Sequence, residues 1–288
     1  MKRLTISKTP KCYVGGAFIR SESGRVAPWQ DHRGEFFAHM PVCSRKDLRN
    51  AVEAAAKAGA SWSKRSGYNR GQILYRMAEM LEARHAEMSA ALMLDGRTAQ
   101  AAEKEVSATI DRMVHYAGWT DKYATLLGSV NPVASAHFNF TLIEAMGVIG
   151  VMAPDEAPLL GLLSLILPVI VGGNSVVALA SSTHPYPSIL LGEMLATSDM
   201  PGGVVNLLCG DRAELLPTFS THEQIRGVSA VLSSEQHQTL DLGAAESVKR
   251  VNVLTADSKR AWDQDTYQGL DWIRAFVECK TVWHPVGV

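Results

Sequence analysis

The side chains of this 288-residue chain that could do chemistry are four cysteines, nine histidines, the neighbouring carboxylates Asp155 and Glu156, and Ser233. Cys12, Cys43, Cys209 and Cys279 show no C-x-x-C spacing and no nearby histidine pair, so neither zinc nor a disulfide framework is indicated. Cys279 and His284 could form a thiol–imidazole pair, but their odd spacing on a short strand-like segment points them to opposite faces. Cys209 closes an apolar run and reads as a small buried hydrophobe. His222, His237 and the other histidines lack metal spacing and read as surface residues. Asp155 and Glu156 head a helical run, where each favours the helix dipole by about 0.3–1 kcal/mol and repels an incoming phosphate. Ser233, with Gln236 three residues later, carries a capping-box signature, which competes with a role as phosphate ligand.

The elements that must position these groups centre on residues 146–210. Val-rich runs at 147–153, 175–180 and 203–209 have no polar alternation, as in strands of a parallel sheet covered on both faces. Helical stretches at 159–171 and 186–197 are long enough for right-handed crossovers. Beyond Gly210, helices at 213–219 and 235–248 alternate with strands at 228–232 and 250–254. The expectation is an α/β fold with a five-stranded parallel sheet and helices on both faces. Gly147 and Gly150 read as strand packing positions.

Ahead of that sheet, Cys12–Arg20 reads as two strands turning at Gly15-Gly16, followed by a polar turn at 20–25. Three helices follow, from Ser44, over 69–94, and over 98–123. Ser44 is a candidate N-cap, and Asp95-Gly96 a left-handed stop. Met77, Met80 and Met88 form a core-facing stripe. Residues 135–144 alternate apolar and polar side chains, as in an extended arm that pairs with another subunit. The polar stretch 255–268 reads as a linker, 269–277 as a short helix, and 280–283 as a final strand.

A net charge of −1 gives no reason to expect nucleic acid or an anionic membrane as partner. The start, MKRLTISKTPK, has no apolar core after it, so no signal peptide is read there. The longest apolar run, 157–171, falls short of the ~20 residues a membrane span needs and contains Pro168. A cytoplasmic location is expected.

Several segments resemble one family, the NAD(P)-dependent aldehyde dehydrogenases. GVIGVMAPDEAP is similar to the family's stretch ending in Pro-Trp-Asn. GGNSVVALASSTHP resembles Gly-Asn-Thr-Val-Val-Leu-Lys-Pro-Ser-Glu, and MPGGVVNLLCG resembles Pro-x-Gly-Val-Val-Asn. VSAVLSSEQ falls where Phe-Thr-Gly-Ser would be, ESVKRVNVLT where Leu-Glu-Leu-Gly-Gly would be, and FVECKTVWHP resembles the carboxy-terminal Lys-Thr-Val strand. The resemblance implies a Rossmann-like NAD-type domain at 147–258, an amino-terminal part at 1–127 packing on it, and an oligomerisation arm at 128–146. It further implies a linker, short helix and oligomerisation strand at 259–288.

The resemblance also shows what differs. Residues 255–268 fill the interval where the family has its catalytic domain, and no cysteine stands at the nucleophile position. Glu156 replaces the oxyanion-holding Asn, and Leu254 replaces the general-base Glu. Leu179 and Ser182 stand where a Lys and a Glu hold the adenosine ribose. Leu232 replaces the glycine that lets pyrophosphate approach, leaving Ser233 of that turn. No tight NAD binding is therefore expected. The expected function is a non-catalytic, aldehyde-dehydrogenase-like subunit acting by assembly, with itself or with a full-length aldehyde dehydrogenase. Its interface residues would be Phe138, Phe140, Leu142, Thr281, Val282 and Trp283. The alternative is an NAD(P)-binding component that contributes to aldehyde oxidation in a hetero-oligomer. A small-molecule sensor using the vestigial cleft near Ser233 is a third reading.

Overall fold

A computed structural model describes residues 8–257 and 259–287. Most of the stretch read for a leader, and Ser258 of the 255–268 stretch, lie outside the described residues. The chain begins with a hairpin of β1 (Cys12–Val14) and β2 (Ala17–Ile19), turned by Gly15 and Gly16, both at positive φ. A second hairpin follows, β3 (Val26–Gln30) and β4 (Phe36–Pro41). Helices α1 (Arg45–Trp62), α2 (Gly67–Ala83), α3 (His85–Leu92), α4 (Ala99–Ala117) and α5 (Tyr123–Leu127) come next. Then β5 (Ser129–Asn131) and β6 (His137–Ala145) precede the alternating part: β7 (Val148–Met152), α6 (Leu160–Val171), β8 (Ser175–Leu179), α7 (Tyr186–Leu195), β9 (Val205–Leu208), α8 (Arg212–Thr221), β10 (Ile225–Leu232), α9 (Ser234–Ala245) and β11 (Arg250–Thr255). The chain closes with α10 (Leu270–Arg274) and β12 (Val277–Pro285).

The main sheet has seven strands in the order β11-β10-β7-β8-β9-β1-β2, not the five expected. The five parallel strands are those read from the sequence, and the β1–β2 hairpin adds two more by antiparallel pairing of β1 with β9. Asn206 makes that docking possible. Its carbonyl accepts the Gly15 N–H at 2.9 Å while its amide donates to the Val176 and Gly203 carbonyls. This bond spans 191 positions, so no local pattern announces it.

Each parallel strand is buried on both faces, which is why its sequence shows no polar alternation. Along β7, Ile149 and Val151 enter one apolar cluster with α2, α4 and α6, while Val148 and Met152 enter the other with α1 and α8. Gly150 lets Phe219 of α8 sit against the strand: a Cβ there would stand 2.6 Å from the Phe219 ring.

The expected helix over 69–94 is two helices. Arg84 leaves helical geometry (φ −115°, ψ 21°) and separates α2 from α3, with no Gly or Pro to mark the break. Gly96 does close the following turn in the left-handed region, with φ 93°. The helix expected over 98–123 stops at Ala117, and a separate short α5 follows. Among the described residues, no helix is long and apolar enough to cross a membrane.

The extended arm does not stand free. β6 is the central strand of a three-stranded antiparallel sheet, with β5 on one side and β12 of the same chain on the other. The nine-residue register from Val277 opposite Ala145 to Pro285 opposite His137 is unbroken. An alternating strand pattern specifies a solvated face, not the chain that supplies the neighbour, which is why this pairing was not legible.

Candidate functional site

In an open parallel sheet, ligands bind where loops leave the carboxyl ends of the strands. Here those loops carry Ala153–Glu156 after β7, Ser181–His184 after β8, Asp211 and Arg212 after β9, Ser233 after β10, and the stretch after Thr255 of β11. The structure brings the substituted positions to this one end of the sheet, but not as a cluster of reactive groups.

Asp155 and Glu156 each have a task other than capping α6. One Asp155 carboxylate oxygen accepts the Ser181 hydroxyl at 2.6 Å and the Ser182 N–H at 2.7 Å, which folds the loop after β8. The free N–H groups at the start of α6, on Leu159 and Leu160, are instead taken by Glu105 of α4, at 3.1 Å each. Burial pushes the Glu105 carboxyl up, against the pull of the adjoining Arg97 guanidinium and these two N–H groups. The dipole role expected of Asp155 and Glu156 thus belongs to Glu105, because a side chain from a packed helix reaches those N–H groups.

Glu156 faces the stretch after β11. Its Oε1 accepts from Arg260 at 3.3 Å and from the Trp262 indole N–H at 3.2 Å. The Glu156 and Arg260 side chains are only 13% and 8% exposed. The guanidinium also stacks over the Trp262 and Tyr267 rings at 5.5 and 5.9 Å. Trp262 is buried against Gly161 of α6, where a Cβ would lie 3.1 Å from the indole. Behind it, Arg112 of α4 donates to the Trp262 carbonyl at 2.7 Å, to the Tyr267 carbonyl and to the Ser164 hydroxyl. The segment read as a linker is therefore a packed cover over the start of α6. Its polar composition concealed that, although a tryptophan in a polar run is the signal that could have revealed it.

Of the positions the resemblance assigns to a dinucleotide, two are buried leucines and two are exposed serines. Leu179 is fully buried in the core on the α1 side of the sheet. Ser182 is exposed, and its N–H is already given to Asp155. Leu232 is fully buried. Ser233 is half of a reciprocal capping box with Gln236, each side chain accepting the other's N–H. Arg212, which the sequence reading did not single out, crosses this end of the sheet. It donates to the Ala153 carbonyl at 2.7 Å and comes within 3.8 Å of Asp155. Leu254 is half-buried, paired with Val231 of β10, and packs on the apolar cluster.

The cysteines and histidines form no reactive centre here. Cys12 and Cys43 lie 3.4 Å apart, sulfur to sulfur, in the buried layer beneath β1, beside Cys209. The neighbouring Cys209 and burial push the Cys12 thiol up, and Cys12 and burial push the Cys43 thiol up, away from reactive thiolates. Cys279 is exposed on β12, five residues from His284. Among the described residues, no group of three or more His, Cys, Asp or Glu is placed to hold a metal. His237 lies at the surface, its side chain 40% exposed beside Asp241, whereas His222 is partly buried and His184 is wedged beside Asp95 at 3.8 Å.

Of the six expected interface residues, the β6–β12 register puts Phe138, Phe140, Leu142 and Val282 on one face of the small sheet, with Thr281 and Trp283 on the other. Phe138 and Phe140 touch at 5.4 Å, and Val130 of β5 extends their face. Phe138, Leu142 and Val130 are about half exposed or more.

Comparison with known proteins agrees with this architecture. Residues 18–258 match the model of the aldehyde dehydrogenase family. The chain is 29% identical over 253 residues to retinal dehydrogenase 2 of Homo sapiens, covering 85% of this chain and 48% of that protein. It is 29% identical over 249 residues to the mitochondrial benzaldehyde dehydrogenase of Antirrhinum majus, covering 84% and 46%. The chain thus spans about half the length of these relatives. An aldehyde dehydrogenase structure from Bacillus cereus, solved as an NAD+ complex, superposes with a TM-score of 0.82 at 24% identity, covering 86% of this chain and 51% of that one. That likeness is one of fold.

Proposed function

Because this chain belongs to the aldehyde dehydrogenase family while leucines stand at its base, ribose and pyrophosphate positions, we propose that it is a non-catalytic subunit that acts by assembly. The partner is a second copy or a full-length aldehyde dehydrogenase, and the site of action is the cytoplasm. The observation that carries the reading is the use made of Glu156. At the position where the family places an oxyanion-holding amide, a carboxylate anchors Arg260 and Trp262 of a covering segment. An oxyanion there would meet negative charge instead of a donor.

The motif residues that persist support the same reading, because their work is structural. Asn174 accepts the Gly147 N–H and donates to the Val169 and Phe276 carbonyls, and Asn206 docks the first hairpin. Arg250 holds the Ala275 and Val277 carbonyls and so fixes the start of β12. What remains preserves the sheet and the small β-sheet attached to it. The face of Phe138, Phe140, Leu142, Val130 and Val282 is the surface we assign to assembly, since exposed aromatic and aliphatic patches mark contact sites. An assay of NAD(P)-dependent aldehyde oxidation by the isolated chain tests the first half of the proposal: turnover would overturn it.

The retained parallel strands, with the α9 N-terminus at their carboxyl ends, favour a second reading, in which the chain binds NAD(P) within a shared oxidation site. Calorimetry with NAD and NADP at millimolar concentration, alone and with the partner, separates the two: heat in either titration favours the second.

A further inference from the structure

At the opposite, amino ends of the parallel strands the chain forms a cleft of about 850 Å3, away from the loops at their carboxyl ends. Its walls are the end of α1, the β6–β7 junction, the Gly172-Gly173 turn and the segment leading into β10. Arg70 of α2, 6% exposed, lines it. Its Nη1 donates to the Arg65 carbonyl at 2.7 Å and its Nη2 to the Tyr123 hydroxyl at 3.2 Å, while Nε has no partner. Both acceptors are neutral, so this buried guanidinium has no counter-ion among the described residues. The Nε–Nη2 edge is the one that grips a carboxylate or phosphate through two parallel N–H bonds. A second buried donor, the Ser175 hydroxyl, also lines the cleft without a partner. Gly59 makes room for it, since a Cβ there would stand 2.9 Å from the Ser175 oxygen.

The charges lining the cleft are positive on balance, three arginines against two glutamates. Arg65 and Arg226, both exposed, join Arg70 in lining it, against Glu144 and Glu223. Glu144 is already paired with Lys280 at 3.1 Å. A buried charge and a buried hydroxyl left without partners are costly, and an anion entering the cleft they both line would supply acceptors. We propose that this cleft binds a small organic anion, whose carboxylate or phosphate sits on the Nε–Nη2 edge of Arg70 with the Ser175 hydroxyl as a further donor. Arg65 and Arg226 then receive a second anionic group nearer the surface, which makes dicarboxylates and phosphorylated small molecules the matching ligand class.

Thermal unfolding of the full chain with inorganic phosphate or succinate, against sodium chloride at equal ionic strength, tests this. At about 10 mM, at least one of the two anions should raise the midpoint by about 2–4 °C over the chloride control. Which anion does so tells phosphate from carboxylate chemistry. Ser175→Ala and Arg226→Ala should fold, since neither polar group has a partner to lose, and should show less than half of that shift. Arg70→Lys, which keeps the charge and loses the fork, should do the same. No shift beyond chloride with either anion, or an undiminished shift in Ser175→Ala and Arg226→Ala, would overturn the proposal.

Discussion

Glu156 and Arg260 lie 104 positions apart in the chain and 3.3 Å apart in space, and their contact closes the segment after β11 over the start of α6. Both side chains are nearly buried, and the Trp262 indole completes the carboxylate's partners. Removing one member of a buried ion pair costs about 3–5 kcal/mol, because the other charge is left uncompensated. Glu156→Ala should therefore lower unfolding free energy by that order in chemical denaturation, and should open 256–268 to trypsin at Lys259 and Arg260. A loss below about 1 kcal/mol with the segment still protected would show that the cover is held without this pair.

Arg112 holds the same segment from the other side. It is buried, and burial pulls its guanidinium down from the usual arginine range. Its acceptors are the Trp262 and Tyr267 carbonyls and the Ser164 hydroxyl. Arg112→Met keeps the stem and strips these charge-assisted bonds, for an expected loss of about 3 kcal/mol. Glu156→Ala and Arg112→Met share one packed unit, so the double variant should lose less than the sum.

Ser233 separates a capping role from a ligand role. Ser233→Ala removes one half of the capping box and should cost about 1 kcal/mol of stability. Calorimetric titration with NAD should give no heat before or after the substitution. Heat in the parent that disappears in Ser233→Ala would make the serine a nucleotide ligand.

Much of this was legible in the residues and some could not be. The parallel strands declared themselves because burial on both faces removes polar residues, as in Val176–Ala178. The glycine turn of the first hairpin was also legible, but its attachment to β9 depends on Asn206, far away in sequence. β3 leaves no signal in the sequence, because Val26, Ala27, Pro28 and Gln30 are exposed and give no alternation. The helix break at Arg84 has no local marker. At the site, substitution by type was visible, as with Leu254 and Leu179, whereas reuse was not. That Glu156 would grip Arg260, or that Arg212 would cross the sheet end, depends on contacts between segments far apart in the chain.

The partly buried histidines set a pH dependence. Burial lowers the proton affinity of His115, His184 and His222, which opposes the nearby Asp95 for His184 and is reinforced by Lys249 for His222. A group whose folded value is depressed contributes stability that is present above its unfolded value, near 6.5, and is lost as pH falls through the folded value. The unfolding midpoint should therefore decline as pH is lowered from about 7 to about 5, and His184→Gln should flatten that decline. A flat or rising midpoint over this window would contradict the placement of these rings.

The central claim is that the chain works as a non-catalytic partner through the Phe138–Phe140 face. Light scattering on the tagged chain purified from its native host measures this most directly. The account predicts a complex heavier than the 31.2 kDa monomer, either a multiple of it or a mixed complex with a full-length aldehyde dehydrogenase, reduced to monomer by Phe138→Asp. A monodisperse 31.2 kDa species with no dehydrogenase co-purifying would contradict it.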